Sequence, residues 1–388
     1  MARFQAGKPS GTAVAELELL VRTAIFKPAT AMVGYLLQAA ADQIDEAYQA
    51  NPGQVRKTRV PIQVQCLFGS FELRRDYYYH EGKKQGHYPA DAALGLEIGY
   101  TPALAKLLCL EGADETTHLK AQRHLEQTGV IPVSARQIQR VVQRVGGAAQ
   151  QWQERSAEPG QCQRSKAPIM YVSGDGTGVP MVTEELAGRK GKQSDGKAKT
   201  RQVYLGCVFT QHRVDEEGRP VRDWESTTYV SSFKPIDHFG PLLRREALRR
   251  GMGSKEHPNY KRQLSNWTKR LLKDKVEILI KETRKKCRGT PQAEQVEQAL
   301  HYFTSNVTRM QYGTFRAAGY FIGSGVVEAG CKTVIGARCK QSGMFWSESG
   351  AENVLALRCI NTSRRLDDFW KYRLNAKSAS NDCLPLAA

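Results

Sequence analysis

The sequence predicts a mixed α/β protein in which a helical region precedes a sheet-bearing domain. Apolar residues recur at helical spacing from Val14 to about Ala50. Residues 60 to 80, VPIQVQCLFGSFELRRDYYYH, switch to alternation around a Gly-Ser turn, the pattern of a β-hairpin. Farther along, three β-rich segments (IMYVS, QVYLGCVFT and STTYVSS) run into one helix from about Ile236 to Arg249. That order opens an α/β or α+β sheet.

The 388 residues suffice for two or three domains, each with its own core. A hydrophobic fraction of 40% with 15 tyrosines and 5 tryptophans marks folded protein. No run approaches the roughly eighteen apolar residues of a membrane span, so no membrane partner is expected. The start, MARFQAGKPSGTAVAELELL, lacks the basic-then-apolar layout of a signal peptide. Nine cysteines without a CxxC pair read as reduced thiols, which points to the cytoplasm. Cys66 with His80 and His87 lacks the spacing of a zinc module, and Cys331 and Cys339 read as small buried apolar groups. Fifty-seven Lys and Arg against thirty-nine Asp and Glu leave a net charge of +18. Such an excess suits a polyanion, because neutralising phosphates releases counterions. Nucleic acid is the leading partner, and a solvated basic surface is the alternative.

In chain order, Pro28 is expected to divide the N-terminal helical region (1–58) into two helices. The end of the hairpin, RRDYYYH, suits either a nucleic-acid backbone or a half-buried strand. Two helices, roughly Thr101 to Glu111 and Glu115 to Gln127, lead through TGVIP to a third beginning at Ser134. Ser134 with Gln137 makes an S-x-x-Q capping box. Ile138, Val141, Val142 and Val145 form its core stripe, leaving Arg136, Gln137, Gln139, Arg140 and Gln143 on the other side. A short helix, a tight turn and a helix with an Arg/Gln face have the order of a helix-turn-helix. Residues 59–146 thus read as a β-hairpin plus a helix-turn-helix-like DNA-binding domain, against the alternative of a helical hairpin with a solvated face. Residues 147–166, polar with Gly and Pro, read as a linker.

The stretch IMYVSGDGTGVPM sets Asp175 between glycines after a short apolar run. Asp-Gly is a favoured hairpin turn, which is one reading. In the other, the strand ends there so that Asp175 holds a metal ion. Phosphoryl transfer on DNA needs aligned oxygens and neutralised phosphate charge, which paired Mg²⁺ ions about 3.5–4 Å apart supply. Such a site shows in sequence as isolated carboxylates amid small residues, far apart along the chain. Asp175 in SGDGTG and Glu328 in GSGVVEAG both fit. The last helix, SGAENVLALRCINTSRRLDDFW, carries Val354, Leu355, Leu357 and Ile360 on one stripe, and the tail 371–388 is expected to be loose.

These motifs resemble the DDE transposases of bacterial insertion sequences. The resemblance is carried by DGTGVPM (Asp175–Met181), EELAGRKGKQ (Glu184–Gln193), and the stretches Asp195–Gln211, Gly319–Trp346 and Gly350–Arg358. The N-terminal YYYH and SARQIQRV are also similar. It implies an RNase H-like catalytic domain over 167–370, with a helical insertion at about 255–300. It also implies three carboxylates, Asp, Asp and Glu, binding two Mg²⁺ (or Mn²⁺), with Asp175 the first and Glu328 the third. Double-stranded DNA at the element's terminal repeats would be the partner, bound by a homo-oligomer at the bacterial nucleoid.

The sequence departs from the pattern at the second Asp, which in the family ends a further strand. Here Gly251-Met-Gly-Ser254 runs into KEHPNYKRQLSNWTKRL with no strand between. Asp195 lies in a Gly/Lys loop, Asp215 in a turn, Asp223 before the third β segment, Asp237 at a helix N-cap and Asp274 on a charged helix. An internal deletion that removed a core strand and the second ligand accounts for this. The expectation is a transposase-family protein impaired in catalysis. The alternatives are a catalytically dead DNA-binding remnant and a metal-dependent nuclease for structured nucleic acid. In the late segment Lys332, Arg338 and Lys340 are spaced to approach phosphates, and Trp346 to stack on an unpaired base. Their alternatives are a solvated basic face and a core anchor.

Overall fold

The structure, a computed structural model, describes residues 11–129, 131–155, 169–191, 198–250 and 312–379, with single positions at 167 and between 284 and 309. Most of the expected charged helices of 259–301, together with Asp195 and Asp274, lies outside the described residues. The elements make a mixed α/β protein with small antiparallel sheets. Contacts divide the chain into two compact units, 1–151 with 337–388, and 152–336. The division falls inside the expected linker, and the return of 337–388 to the first unit departs from the expected domain ending at 370.

The first unit opens with helix α1 (Gly11–Ala47). The expected break at Pro28 does not occur. Pro28 forfeits one backbone hydrogen bond in an exposed turn, and the packing of the turns that follow it outweighs that loss. Ala41 joins a core with Val64, Leu73, Ala90 and Leu96, flanked by Leu37 and Ile44. Strands β1 (Gln54–Gln65) and β2 (Ser70–His80) pair antiparallel from Gln54↔His80 to Gln65↔Ser70, and β3 (Gln85–His87) extends the sheet. The RRDYYYH end of β2 is a packed strand. Buried Arg75 forks onto Asp91 at 2.8 and 3.2 Å under the Tyr88 ring, and Tyr78 is buried.

Helices α2 (Pro89–Ala93), α3 (Pro102–Asp114), α4 (His118–His124) and α5 (Ala135–Arg155) follow. The capping box forms: Gln137 N–H donates to Ser134 Oγ at 3.3 Å, and Ser134 N–H donates to Gln137 Oε1 at 2.9 Å. The stripe Ile138, Val141, Val142 and Val145 is buried as expected. The expected linker does not begin at 147, because α5 runs on to Arg155. Gly146 is a contact point rather than a helix breaker, since a Cβ there would stand 2.5 Å from the Asn353 carbonyl oxygen.

The second unit is built on β4 (Ile169–Pro180), β5 (Thr200–Val214), β6 (Pro220–Arg222) and β7 (Thr228–Ser232). β5 is central: β4 pairs with it from Thr200 to Gln211, while β6 and β7 share the other side, all antiparallel. Helix α6 (Ile236–Arg249) covers one face. Phe239 and Leu243 reach the paired glycines Gly174 and Gly206, where a Cβ would stand 3.2 Å from Phe239 and 2.5 Å from Leu243. Asp237 lies in the first turn of α6, whose N-cap is Pro235 and not Asp237 as expected. Helices α7 (Tyr312–Ala317) and α8 (Gly325–Gly330) come later, and α8 continues through a wide turn (Cys331–Gly336).

The first unit is completed by α9 (Glu348–Thr362) and α10 (Leu366–Ala379). The expected single last helix breaks at Arg364, whose φ of 56° is left-handed and incompatible with a continuing helix. Among the described residues no helix is long and apolar enough to cross a membrane.

Candidate active site

Residues 169–180 form one strand rather than a strand and a turn. Local Asp-Gly propensity favours a turn, but pairing with β5 continues through Asp175↔Leu205 to Pro180↔Thr200 and overrides it. Asp175 therefore sits in mid-strand, not at a strand end. Side chains alternate across a sheet, so Gly174 faces α6 and Asp175 shares the opposite face with Leu205. Helix α8 lies on that face, because a Cβ at Gly330 would stand 2.7 Å from Tyr229 and 3.0 Å from Leu205.

The chain before α8 is anchored to the same sheet. Gln211 on β5 donates to the Gly319 carbonyl at 2.8 Å, and the Phe321 N–H donates to the Tyr171 hydroxyl at 3.1 Å. Phe321 also meets Tyr171 and Phe209 edge-on at 5.4 and 5.5 Å. These ties fix where α8 starts. The Cys331 thiol then lies 3.9 Å from Asp175 Oδ2, with Glu328 three residues earlier on the helix. Asp175 is half-buried and takes its neighbour's Gly176 N–H at 2.7 Å, whereas Glu328 is exposed and accepts from Ser324 Oγ.

Of the other aspartates in this unit, Asp215 accepts the N–H groups of Glu217 and Arg219 at 3.0 and 2.8 Å, closing a turn. Asp223 is bound by Thr210 Oγ1 and His212 Nδ1, both at 2.6 Å. Among the described residues no third carboxylate, His or Cys closes a cluster around Asp175 and Glu328, and no strand pairs with the outer edge of β4.

The expected DNA contacts fare unevenly. Arg136, Gln139 and Arg140 are exposed along α5, while Gln137 is engaged in the capping box. Lys332 and Lys340 are exposed. Arg338 is 1% exposed, which removes it from reach of a phosphate. Its guanidinium donates to the carbonyls of Thr116 and Gly112 and to His118 Nε2 at 3.2, 3.4 and 3.1 Å, closing the turn between α3 and α4. Burial pulls its pKa down to about 10, so it stays charged at neutral pH. Trp346 is half-buried against that guanidinium at 5.0 Å, in the manner of a core anchor.

Sequence reasoning missed Cys331 as a neighbour of Asp175. It also missed a cluster of Glu111, Glu115 and His124, whose signal is a Glu-x-x-x-Glu pair with a His nine residues on. The comparisons with protein-family models and with curated proteins give no match for this chain.

Proposed function

We propose that the chain is a relative of the DDE transposases whose second unit is an RNase H-like domain reduced by one strand. It binds double-stranded DNA at an element's ends, as a homo-oligomer at the nucleoid, and is impaired in cutting. The observation that carries the reading is the placement of Asp175 on β4, facing the helix that bears Glu328. An antiparallel β4-β5-β7 meander followed by α6 also agrees with the first half of such a domain. The unpaired edge of β4 among the described residues is where a removed strand would have lain.

Mg²⁺ takes oxygen ligands and is commonly held by one or two carboxylates with water and phosphate oxygens. The reading assigns such an ion to Asp175, on the sheet face that α8 covers, and to Glu328 on that helix; the soft sulfur of Cys331 adds nothing to it. A second ion needs another carboxylate. When bound, Mg²⁺ would neutralise phosphate charge; Asp175 and Glu328 contribute its anchoring oxygens. The lack of a third carboxylate among the described residues favours the DNA-binding remnant over an active enzyme as the second reading.

The test is a labelled duplex carrying the element's end, incubated with the chain and Mg²⁺, Mn²⁺ or EDTA, scored for shift and cleavage on one gel. A salt-sensitive shift with little or no nicking is expected. Strong metal-dependent nicking that Asp175→Ala leaves untouched would place the chemistry elsewhere.

A further inference from the structure

Glu111 and Glu115 stand one turn apart at the C-terminal end of α3, and His124 at the end of α4 lies across from both. His124 Nδ1 is 2.6 Å from Glu111 Oε2 and 3.9 Å from Glu115 Oε1. One ligand atom from each residue lies within 4.8 Å of the others.

The arrangement is unfavourable for an ordinary surface pair. A helix C-terminus is the negative end of the helix dipole, and like charges at i and i+4 repel. The last turn of α3 holds no basic residue. Two arginines that reach the end of α3 are committed to other groups. Arg338 donates to the Gly112 and Thr116 carbonyls, and Arg358 to the Ala113 carbonyl and to Asp114. Among the described residues neither Glu111 nor Glu115 has a Lys or Arg within ion-pair distance, in a chain of net charge +18. His124 alone offsets them, and its hydrogen bond to Glu111 raises its pKa.

We propose that Glu111, Glu115 and His124 bind one divalent zinc-type ion that ties α3 to α4. An imidazole and two carboxylates make a three-ligand set that leaves one position to water. The nitrogen donor favours Zn²⁺ over Mg²⁺, which prefers an all-oxygen octahedron. Donors about 2.1 Å from a tetrahedral ion stand ~3.4 Å apart. The exposed His124 has to swing less than ~1 Å from Glu111 to admit it. A metal ion takes the neutral imidazole of His124, so binding weakens as pH falls. None of the three residues belongs to the Asp175–Glu328 site, and the two readings stand or fall separately.

The full chain, stripped with EDTA, would be titrated with Zn²⁺ alone by calorimetry, then with Co²⁺ by absorption. One Zn²⁺ equivalent resistant to excess Mg²⁺ is expected. It should weaken at least about tenfold in His124→Ala and in Glu115→Gln, and stay unchanged in Asp175→Ala. The Co²⁺ spectrum should lack an intense thiolate band, which separates the site from the cysteines. All three side chains are at least partly exposed, so the variants are expected to fold, and circular dichroism checks this. An equivalent that survives in both variants, or no Zn²⁺ uptake by natively folded chain, overturns the proposal.

Discussion

The Cys331 thiol lies 3.9 Å from Asp175 Oδ2, one helical turn beyond Glu328. A carboxylate at position 331 would therefore stand beside Asp175. Two carboxylates in contact repel until a cation joins them. Cys331→Asp is expected to destabilise the chain by about 2 kcal/mol without metal, and added Mg²⁺ to restore part of that loss. Cys331→Ser is expected to show no Mg²⁺ response beyond the native chain's. Thermal melts with and without Mg²⁺ make the comparison. If Mg²⁺ fails to stabilise Cys331→Asp, the face carrying Asp175 is no metal site.

The closeness of α8 to the sheet depends on Gly330. Its added Cβ would meet Tyr229 at 2.7 Å and Leu205 at 3.0 Å, and both are buried. Gly330→Ala is expected to destabilise by about 1–3 kcal/mol through overpacking. Gly325, on the same helix with nothing within 4 Å, is the control. Its alanine variant is expected to be neutral or slightly stabilising, because it lowers only the entropy of the unfolded chain. Urea midpoints would settle both.

Arg338 and Lys332 carry the same charge in opposite settings. Removing the Arg338 guanidinium strands the Thr116 and Gly112 carbonyls and the His118 ring nitrogen inside the first unit. Arg338→Ala is expected to cost about 3 kcal/mol, whereas Lys332→Ala stays within about 0.5 kcal/mol. DNA binding should report the reverse. Lys332→Ala should lower the salt slope of log Kd by about 1, and the folded fraction of Arg338→Ala should keep the native slope. An unchanged slope for Lys332→Ala would take that lysine off the DNA surface.

Local periodicity is what the sequence makes legible. The buried stripe from Ile138 to Val145, the Ser134–Gln137 box and α6 at Ile236–Arg249 all follow from spacing and side-chain chemistry within one element. Where tertiary contacts outvote local preference, the sequence misleads. The Asp-Gly of residues 175–176 is held flat by pairing with β5, and the helix runs on through Gly146, where Asn353 packs too close for a side chain. Arg338 reads as a surface cation because charge alone says so, and only the return of 337–388 to the first unit takes it inside. The Glu111–Glu115–His124 cluster depends on the angle between α3 and α4, which spacing does not encode. Asp175 and Glu328 were legible as isolated carboxylates amid glycines; the thiol beside Asp175 was not.

Asp45 and His118, both in the first unit, oppose each other in their dependence on pH. Burial raises the Asp45 carboxyl to about 6, and one of its oxygens is buried without a partner. Burial, helped by Arg338, lowers His118 to about 4. For Asp45 the folded pKa lies above the unfolded value, so the native state holds more protons between about 3.8 and 6 and loses stability as pH rises. For His118 the unfolded chain holds more protons between about 4 and 6.5, so stability rises with pH. Each effect is about 3 kcal/mol at most, and over the shared window they nearly cancel. Relative to the native chain, Asp45→Asn should gain stability as pH rises from 4 to 6, and His118→Gln should lose it over much the same range. Denaturant titrations at stepped pH, taken as differences from the native chain, remove the other titrating groups. Parallel rather than diverging curves for the two variants would mean that neither group is perturbed by burial as described.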